Sequence, residues 1–427
     1  MNDNSQAAGV NEEPLPPRRR MRWWGWVLVV LGTLVCTAAG TWFGWGYVGQ
    51  SRLNKLLAEI RSRGEPVEWK DFAEAPVPDG QNAVPLYQKA SDMLSDPKGK
   101  YTQADVVDFS EMIRYLTTDK AFRRQHGREV EAILDFSRDS LALLRQAADR
   151  PGADFKMDFH GSALGVKLPP VANMTDLADA GVLAALRAHE AGRDAQALQS
   201  LRDTMALGRC LGRSPLLILQ MVSMACYRDV FPAVEQCAPD FRIGPEPGAS
   251  AAMVRELIRE LSDSTPVTQG WTWAMLAERA FLYDTLERLR RGELSLPGLI
   301  KGSGSENLSL GGVTEWLLRP LLTGDEVTCL RAQTSMAEGI RQATYPAALR
   351  KMNEEPDSIE AVRRRCTDFW FAVGHPMGAI LLPAYSVDGH YEHLALRRLA
   401  ATALAMRLYE VEKGKPVTAL ADLVAAG

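Results

Sequence analysis

Two histidines near the end of the chain have a spacing that can hold a metal ion. His390 and His393 stand three residues apart in the run DGHYEH, which starts at Asp388. On a helix these positions share one face, so both imidazoles could bind one ion with Asp388 or Glu392 assisting. The alternative is structural: Asp388 caps the helix and the histidines are polar surface. Zinc helices more often place two histidines four residues apart with a glutamate between them, which favours the structural interpretation.

Glu278 has the sequence surroundings of a catalytic carboxylic acid. It stands among apolar residues and follows Trp271 and Trp273 closely. Burial among such side chains disfavours the charged form and raises a carboxyl pKa, which is the property of the acid in glycosidases. Glu278 is therefore the one catalytic candidate in the sequence.

The same residue also has a structural interpretation. A glycosidase needs a second carboxylate, and Asp263 and Asp284 are merely the nearest ones in sequence. A buried glutamate more often forms an ion pair, for which Arg255 or Arg279 is available. The sequence therefore favours a chain that is not an enzyme, without excluding one.

Composition excludes several classes of protein. The net charge is −4, with 24% charged and 46% hydrophobic residues, which is ordinary for a globular protein. The basic clusters Arg288–Arg291 and Arg363–Arg365 are short and lie on predicted helices, so they are interpreted as solvated faces and no nucleic-acid partner is expected. No nucleotide or cofactor motif is present, and no cofactor is predicted.

The cysteines carry no metal-ligand spacing, because the sequence contains no C-x-x-C pair. In an oxidising compartment Cys226 could pair with Cys237, or Cys329 with Cys366. Most of these residues have apolar helical neighbours, so the default interpretation is that they are small buried hydrophobes.

The element that must position every candidate is the uncharged segment Trp23–Ser51. As a helix its 29 residues would extend about 43 Å, more than the roughly 30 Å hydrocarbon core of a bilayer requires. Aromatic residues, which favour the headgroup level, mark both of its ends. They are Trp23, Trp24 and Trp26 at one end and Trp42, Phe43, Trp45 and Tyr47 at the other. The pattern predicts a transmembrane helix over residues 23–50 whose partner is the lipid bilayer.

The flanking charges predict the orientation of this helix. Residues 1–22 form a polar, proline-containing basic tail that we expect to be disordered. Its arginines, which cluster directly before the span, are Arg18, Arg19, Arg20 and Arg22. Basic residues next to a span favour the cytoplasmic side, so we expect a single-pass protein of the inner membrane with a periplasmic or other extracytoplasmic C-terminal domain. Four basic residues between positions 52 and 63 make this preference weaker.

A cleaved signal peptide is the alternative interpretation of the same segment. The arginines would then be its positive region, and Thr37–Ala39 its small-residue cleavage site. The apolar run is longer than a signal core, and a signal peptide leaves the second group of aromatic residues unexplained. These two features favour an uncleaved anchor.

Beyond the anchor, nearly every apolar segment repeats with the 3.6-residue period of a helix. We expect an all-α chain in which the membrane helix continues through Arg52–Arg63 and is followed by an irregular multi-helix exported domain. Only Val67–Trp69 and Phe241–Ile243 favour strands. Prolines near position 240 predict a boundary between a first helical subdomain (51–240) and a second one (241–427).

The best-defined unit is a helical hairpin within residues 174–237. Gly192 separates two amphipathic helices, Asp194 can cap the second, and a third helix is predicted over Leu216–Val234. The turn sequence AGRD followed by Ala197 is similar to the hairpin of tetratricopeptide-type repeats. Such arrays need about three stacked copies, and only one is found in the sequence.

Three stretches together carry a family resemblance. Residues 53–90 contain RSRGEPVEWKDF and QNAVPLYQKA, residues 183–220 contain LRAHEAGRDAQAL and SPLLILQ, and residues 394–424 read LALRRLAATALAMRLYEVEKGKPVTALADLV. They resemble a large uncharacterised bacterial family with one N-terminal membrane helix and an α-helical exported region. The resemblance implies that architecture for most of the exported part. The family has no established activity, so no functional residue is transferred.

The C-terminal 30 residues are also locally similar to type II secretion pseudopilins. The shared positions are Tyr409, Gly414, Pro416 and Leu420, where a helix ends at glycine and proline leads into a short helix. Members of the uncharacterised family usually continue into an aspartate-proline-containing segment. We therefore expect that the C-terminus is truncated at Gly427 or that this member lacks the segment.

These observations predict a membrane-anchored cell-envelope protein whose helical domain binds another envelope protein or scaffolds an assembly. One alternative is an envelope-polymer hydrolase or metal-dependent enzyme that uses Glu278 or the pair His390 and His393. A second alternative is a secretion-system accessory protein.

Overall fold

The computed structural model describes residues 23–95, 103–171, 173–294, 312–354, 358–365 and 387–425. Within these ranges the chain is helical and forms no strand, which confirms the all-α prediction. The strands predicted at Val67–Trp69 and Phe241–Ile243 are wrong: Trp69 begins a 3-10 helix, and Ile243 forms only an isolated bridge with Ala249. The tail that contains Arg18, Arg19, Arg20 and Arg22 lies outside the described residues, as does Cys366.

The described α-helices are numbered in chain order. They are α1 (Trp23–Ser62), α2 (Val84–Ser95), α3 (Gln103–Thr118), α4 (Lys120–Gln125), α5 (Gly127–Phe136), α6 (Arg138–Ala148), α7 (Met174–Glu190), α8 (Asp194–Leu211), α9 (Leu217–Tyr227), α10 (Val230–Cys237), α11 (Ala251–Ser262), α12 (Thr265–Arg291), α13 (Gly312–Ile340), α14 (Tyr345–Glu354), α15 (Ile359–Arg365), α16 (Asp388–Lys413) and α17 (Leu420–Ala425). Short 3-10 helices cover Trp69–Phe72, Ala163–Gly165 and Ala238–Asp240.

Helix α1 is continuous over 40 residues, so the predicted extension beyond the apolar segment is confirmed. Its apolar part is exposed, and none of its most hydrophobic window is buried inside the protein. Leu53, Leu57 and Ile60, which follow this part at helical spacing, are buried. The helix ends before Gly64, whose φ of +70° is a conformation that glycine adopts without strain. One helix therefore has two parts: an exposed apolar segment, and a following segment with one face docked on the domain.

A second stretch, Leu217–Asp240, is also long and apolar enough to cross a membrane. Most of it is buried inside the protein, where α9 and α10 belong to the core. The N-terminal helix is thus a candidate membrane span or signal sequence, and the second stretch is a core element by its burial.

Helix α13 runs beside α1 in the same direction. Gly49 touches Thr323, since a Cβ atom at Gly49 would lie 3.4 Å from the threonine Cβ. Further along both helices, Arg63 pairs with Glu338 at 2.6 Å. Contacts that advance together along two helices require parallel packing. Leu321, before Thr323, bounds a shallow groove with Trp42 and Trp45 on α1, so α13 reaches the apolar part of α1.

The domain core surrounds α12, which packs between α13 and α9. A second buried cluster joins α7, α8 and α10 to α11 and α16 through residues such as Leu198, Phe231, Leu257 and Leu404. This cluster contains buried side chains from both sides of position 240, where the sequence predicts a subdomain boundary.

The structure divides several helices that the apolar period predicts as continuous. The stretch 121–148 forms three helices, and the predicted Leu216–Val234 helix is interrupted between Tyr227 and Val230. Helix α13 ends at Ile340, and Pro346 occupies the first turn of α14. Proline fits a first turn because the amide it lacks would have no helical partner there.

The hairpin of α7 and α8 forms where the sequence predicts it, with Gly192 at φ +73° in the turn. Asp194 does not cap α8, although the sequence predicts that it does, because the N-cap residue is Arg193. Its buried carboxylate instead lies 2.5 Å from His189 Nδ1 and accepts the backbone N–H of Arg242 at 3.1 Å. The carboxylate therefore ties the turn to the segment that follows α10.

Candidate functional site

Helix α16 carries both histidines of the predicted metal site, and both are buried. The exposed fractions are 0% for His390 and 4% for His393, so the interpretation of these histidines as polar surface is wrong. The His390 ring lies 6.0 Å from the Trp271 ring on α12. The His393 ring packs edge-on against Tyr227 at 5.0 Å and Phe231 at 5.1 Å. Both imidazoles face the domain core.

Burial keeps the two imidazoles neutral. It lowers the pKa of His390 to about 4 and that of His393 to about 3, where the Arg397 cation and His390 add to the effect. Among the described residues, neither ring nitrogen of His390 has a hydrogen-bond partner, and Nε2 of His393 has none either. Neutral imidazole is the form that binds metals and forms hydrogen bonds in both senses.

The third residue of the predicted metal set is placed differently. Asp388 is exposed, and its hydrogen bond with Tyr345 raises the pKa of the tyrosine hydroxyl. In the described ranges no three histidine, cysteine or acidic side chains gather closely enough to hold an ion. A structural zinc site takes four ligands, so the histidine pair is at most half of one.

One of these histidines lines a cavity of about 200 Å³ in the domain. The cavity lies between the end of α8, α9, the end of α11, the start of α12, and α16. Its walls combine apolar and polar side chains. The lining residues are Gly208, Arg209, Gly212, Arg213, Gln220, Ser223, Met224, Tyr227, Glu260, Asp263, Pro266, Val267, Trp271, His393 and Arg397.

Arg397 is the buried cation of this cavity, with 4% of its surface exposed. Its Nη2 donates to the backbone carbonyls of Glu260 at 2.5 Å and Asp263 at 3.0 Å. Its Nε has no acceptor among the described residues. Burial lowers the pKa of the guanidinium, while an arginine still keeps its charge at neutral pH.

The neighbouring polar groups are held by backbone atoms. The Tyr227 hydroxyl donates to the carbonyl of Met205 at 3.0 Å, and the Ser223 hydroxyl donates to that of Gly208 at 2.7 Å. The Gln220 amide donates to Gly212 O at 2.8 Å. These bonds fix the cavity wall, because each side chain joins α9 to the end of α8.

Arg397 is the site residue that the sequence-based reasoning missed. The signal for it was present in the spacing of α16. Positions 390, 393, 397, 400 and 404 recur every three or four residues and all are buried. The buried face of an amphipathic helix normally carries apolar residues, so an arginine at position 397 is unusual. The neighbouring Arg398 lies on the exposed face.

A wider cleft of about 1080 Å³ adjoins this cavity, and the two share Gly212, Arg213 and Pro266. The cleft runs between the end of α1, α12 and α13. Trp273 and Leu276 supply apolar surface to it, and its rim carries charges of both signs.

Glu278 lies on α12 without an ion-pair partner among the described residues, so its predicted pairing with Arg255 or Arg279 is wrong. Arg279 instead pairs with Glu65 at 2.7 Å, and Arg255 pairs with Glu412. Burial raises the pKa of Glu278 to about 7, in the direction that the sequence predicts. The property of a general acid is thus present on this side chain.

The second carboxylate that a glycosidase needs is not supplied by the two nearest acids. Asp263 accepts the backbone N–H of Thr265 at 3.0 Å. Asp284 pairs with Arg288 at 2.9 Å and accepts the N–H of Ala163 at the same distance. Both carboxylates hold structural positions.

A pair of buried carboxyl groups was not predicted from the sequence. Asp179 on α7 and Asp229, between α9 and α10, are 2% and 4% exposed. Burial and the adjacent Asp229 carboxyl raise the pKa of Asp179. Arg228 pairs with Asp229 at 3.1 Å and lies 3.8 Å from Asp179. The three side chains thereby join α7 to the α9–α10 break.

The two nearest cysteines do not form a disulfide. Cys226 and Cys237 are both free and buried. The Cys226 thiol donates to the carbonyl of Met174 at 3.6 Å, and burial raises the pKa of both thiols. They are the small buried hydrophobes that the default interpretation expects.

The candidate functional features of the described chain are the exposed apolar helix, the cavity at Arg397 and the cleft beside it. No protein-family profile, curated protein or solved structure matches the chain.

Proposed function

We propose that this chain is a single-pass membrane-anchored binding protein of the cell envelope, whose helical domain captures a protein partner close to the bilayer. Helix α1 is the observation that carries the proposal. Its apolar part is exposed over most of its length, while its continuation from Leu53 to Ile60 is docked on the domain.

The exposed surface of α1 supports membrane insertion by its size. Large apolar side chains that are 44–79% exposed include Trp23, Trp24, Trp26, Val27, Leu28, Leu31, Leu34, Val35, Phe43, Trp45 and Tyr47. A soluble monomer rarely exposes a contiguous apolar patch above a few hundred Å². A bilayer removes this surface from water and leaves no backbone group unpaired, because the segment is helical.

Binding is favoured over catalysis by the state of the candidate groups. Glu278 has a raised pKa and lacks a second free carboxylate nearby in sequence, and the histidine pair lacks a third ligand in the described ranges. The cavity and the adjoining cleft, in contrast, combine apolar walls with fixed charges, as binding sites do. The partner that this cleft would accept is another envelope protein.

The anchor is tested by the mass of the mature chain in fractionated cells. We expect the intact N-terminus, with alkali-resistant retention in the membrane fraction. Added protease should digest the domain only after the outer barrier of the cell is opened. A soluble chain that begins after Ala39 would show that α1 is a signal peptide and would contradict the anchor.

Partner capture is tested by a photo-reactive amino acid in place of Gln269, an exposed residue of the cleft. We expect one discrete crosslinked protein in intact envelopes. The matched control places the same amino acid at the exposed Arg398, outside the cleft. Equal crosslinking from both positions would contradict a binding function for the cleft.

A further inference from the structure

Arg397 differs from the other most deeply buried arginines of the described chain. Arg123 and Arg279 have side chains that are 2% and 1% exposed, and each pairs with a glutamate, at 2.9 Å and 2.7 Å. Arg397 is buried to a similar degree, yet no carboxylate pairs with it within the described ranges. A buried charge without a counter-charge is costly, and proteins normally pair it.

The carboxylates nearest to Arg397 are engaged elsewhere. Glu260 pairs with Arg209, and the Asp263 carboxylate is exposed and accepts the N–H of Thr265. Both residues bond to Arg397 only through their backbone carbonyls, and the exposed Asp263 carboxylate acts on it at longer range, without an ion pair. Neutral carbonyls satisfy some of the five guanidinium donors but do not balance the charge.

The position of the missing anion is the cavity that Arg397 lines. Its volume of about 200 Å³ exceeds the roughly 150 Å³ of an engineered protein cavity that holds benzene. Trp271, Met224 and Val267 give it an apolar wall, and His393 adds an imidazole whose Nε2 has no partner in the described chain. The first turn of α12 faces the same space, and a helix N-terminus favours an anion.

We propose that this cavity binds a carboxylate on a small apolar body, with the carboxylate paired to Arg397 and the apolar part against Trp271. This inference deepens the proposed function, because it names the chemistry of what the anchored domain captures. The carboxylate has two sources that fit the shape. One is a free small acid, and the other is the C-terminal residue of a peptide chain that lies in the adjoining cleft.

The test uses the purified full-length chain in detergent micelles. Thermal unfolding and calorimetric titration are measured with phenylacetate and with its neutral amide. The same measurements use two short peptides that end in phenylalanine, one with a free carboxylate and one amidated. We expect the carboxylate forms to raise the unfolding temperature and to bind at least ten times more tightly than the amides.

The variant Arg397→Met removes the charge while keeping a long apolar side chain. We expect at least a tenfold loss of carboxylate affinity, together with an unfolding temperature without ligand at or above that of the wild type. The gain follows because the substitution removes an unpaired buried charge. The matched control Arg398→Met makes the same change at an exposed neighbour and should leave affinity unchanged.

A second variant keeps the inference testable if Arg397→Met does not fold. Val267→Phe fills the cavity from the partly exposed first turn of α12 and leaves Arg397 in place. It should abolish carboxylate binding with the fold intact. Binding of the small acid alone identifies a free acid as the source, and binding of the peptide alone identifies a chain end.

The inference is overturned if amides bind as well as carboxylates, if no carboxylate binds the wild type, or if Arg397→Met keeps wild-type affinity. These outcomes are independent of the membrane anchor, because the titrations are made in detergent. A cleaved or soluble chain would overturn the anchor and leave the titrations unaffected.

Discussion

At the scale of single residues, the two histidines of α16 make the stability of the fold depend on pH. Their folded-state pKa values of about 4 and 3 lie below the unfolded value of 6.5. The unfolded chain therefore takes up protons first as the pH falls. Their contribution to stability is complete above about pH 6.5 and is lost progressively below it.

Replacing both residues, as His390→Gln with His393→Gln, should reduce this loss. Between pH 7 and pH 5 we expect the variant to lose less unfolding free energy than the wild type, by about 1–2 kcal/mol per histidine. Urea unfolding at the two pH values measures the difference. The control His160→Gln changes an exposed histidine and should leave the pH dependence as it is. An unchanged dependence in the double variant would show that the histidines are protonated in the folded protein.

The buried acid pair changes the stability of the fold with pH in the opposite direction. Because the pKa of Asp179 is raised above its ordinary 3.8, the folded chain keeps a proton that the unfolded chain has already lost. Stability from this group is therefore complete at acid pH and falls as the pH rises above about 4. Asp179→Asn should remove this decline and raise the unfolding free energy at pH 7.5, relative to pH 5, by on the order of 1–3 kcal/mol. If the unfolding free energy of the variant depended on pH as in the wild type, the raised pKa of Asp179 would be contradicted.

The burial of individual side chains could be predicted from the sequence only in part. The spacing of His390 and His393 identifies them as one helical face, and the structure places both in the core. Whether such a face meets solvent or another helix is decided by packing against α10 and α12, which no local pattern encodes. The spacing of α16 places Arg397 on the same face, but its lack of an ion-pair partner among the described residues is visible only when its neighbours in the fold are known.

At the scale of elements, the existence of helices could be predicted from apolar periodicity, while several of their ends could not. The continuation of α1 to Ser62 has a clear local signal in Gly64. The break at Ser137, between α5 and α6, has no proline or glycine beside it, and at the His126 break Gly127 is itself the first residue of α5. They arise where short helices turn to pack around α3 and α7, a tertiary effect that overrides the period.

The joint between α8 and α9 depends on a glycine. A Cβ atom at Gly208 would lie 2.5 Å from the ring of Tyr227, closer than van der Waals contact permits. Gly208→Ala should therefore displace the tyrosine and lower the unfolding free energy by about 1–3 kcal/mol, with weaker carboxylate binding in the cavity. Chemical denaturation measures the stability change.

Gly127→Ala is the matched control for this joint. It also lies in a helix, and nothing is within 4 Å of the added methyl group. We expect it to stabilise the fold slightly, because alanine is the better helix former. If both substitutions had the same effect, the close approach of α8 and α9 would not be required.

At the scale of the whole molecule, the parallel packing of α1 and α13 joins the N-terminal apolar helix to the domain over a long interface. Its central part is apolar, with Leu53, Leu57 and Leu330 buried. Its end is ionic, where Glu65 binds both Arg279 and Arg341. The domain is thus attached to α1 by a packed surface and not by a flexible linker.

A helix that is continuous from Trp23 to Ser62 also fixes the rotational phase of the domain about the helix axis. One alanine inserted between Gln50 and Ser51 would turn the docked face by about 100° relative to the apolar part, whereas four would turn it by only about 40°. Cysteines at Trp45 and Leu321, which share a groove, should crosslink with the wild-type spacing, poorly with one insertion and better again with four. A yield independent of the insertion would mean that the helix bends freely there. With α1 as the proposed anchor, the direction in which the cavity and its cleft face along the membrane surface is set by the number of residues in a single helix.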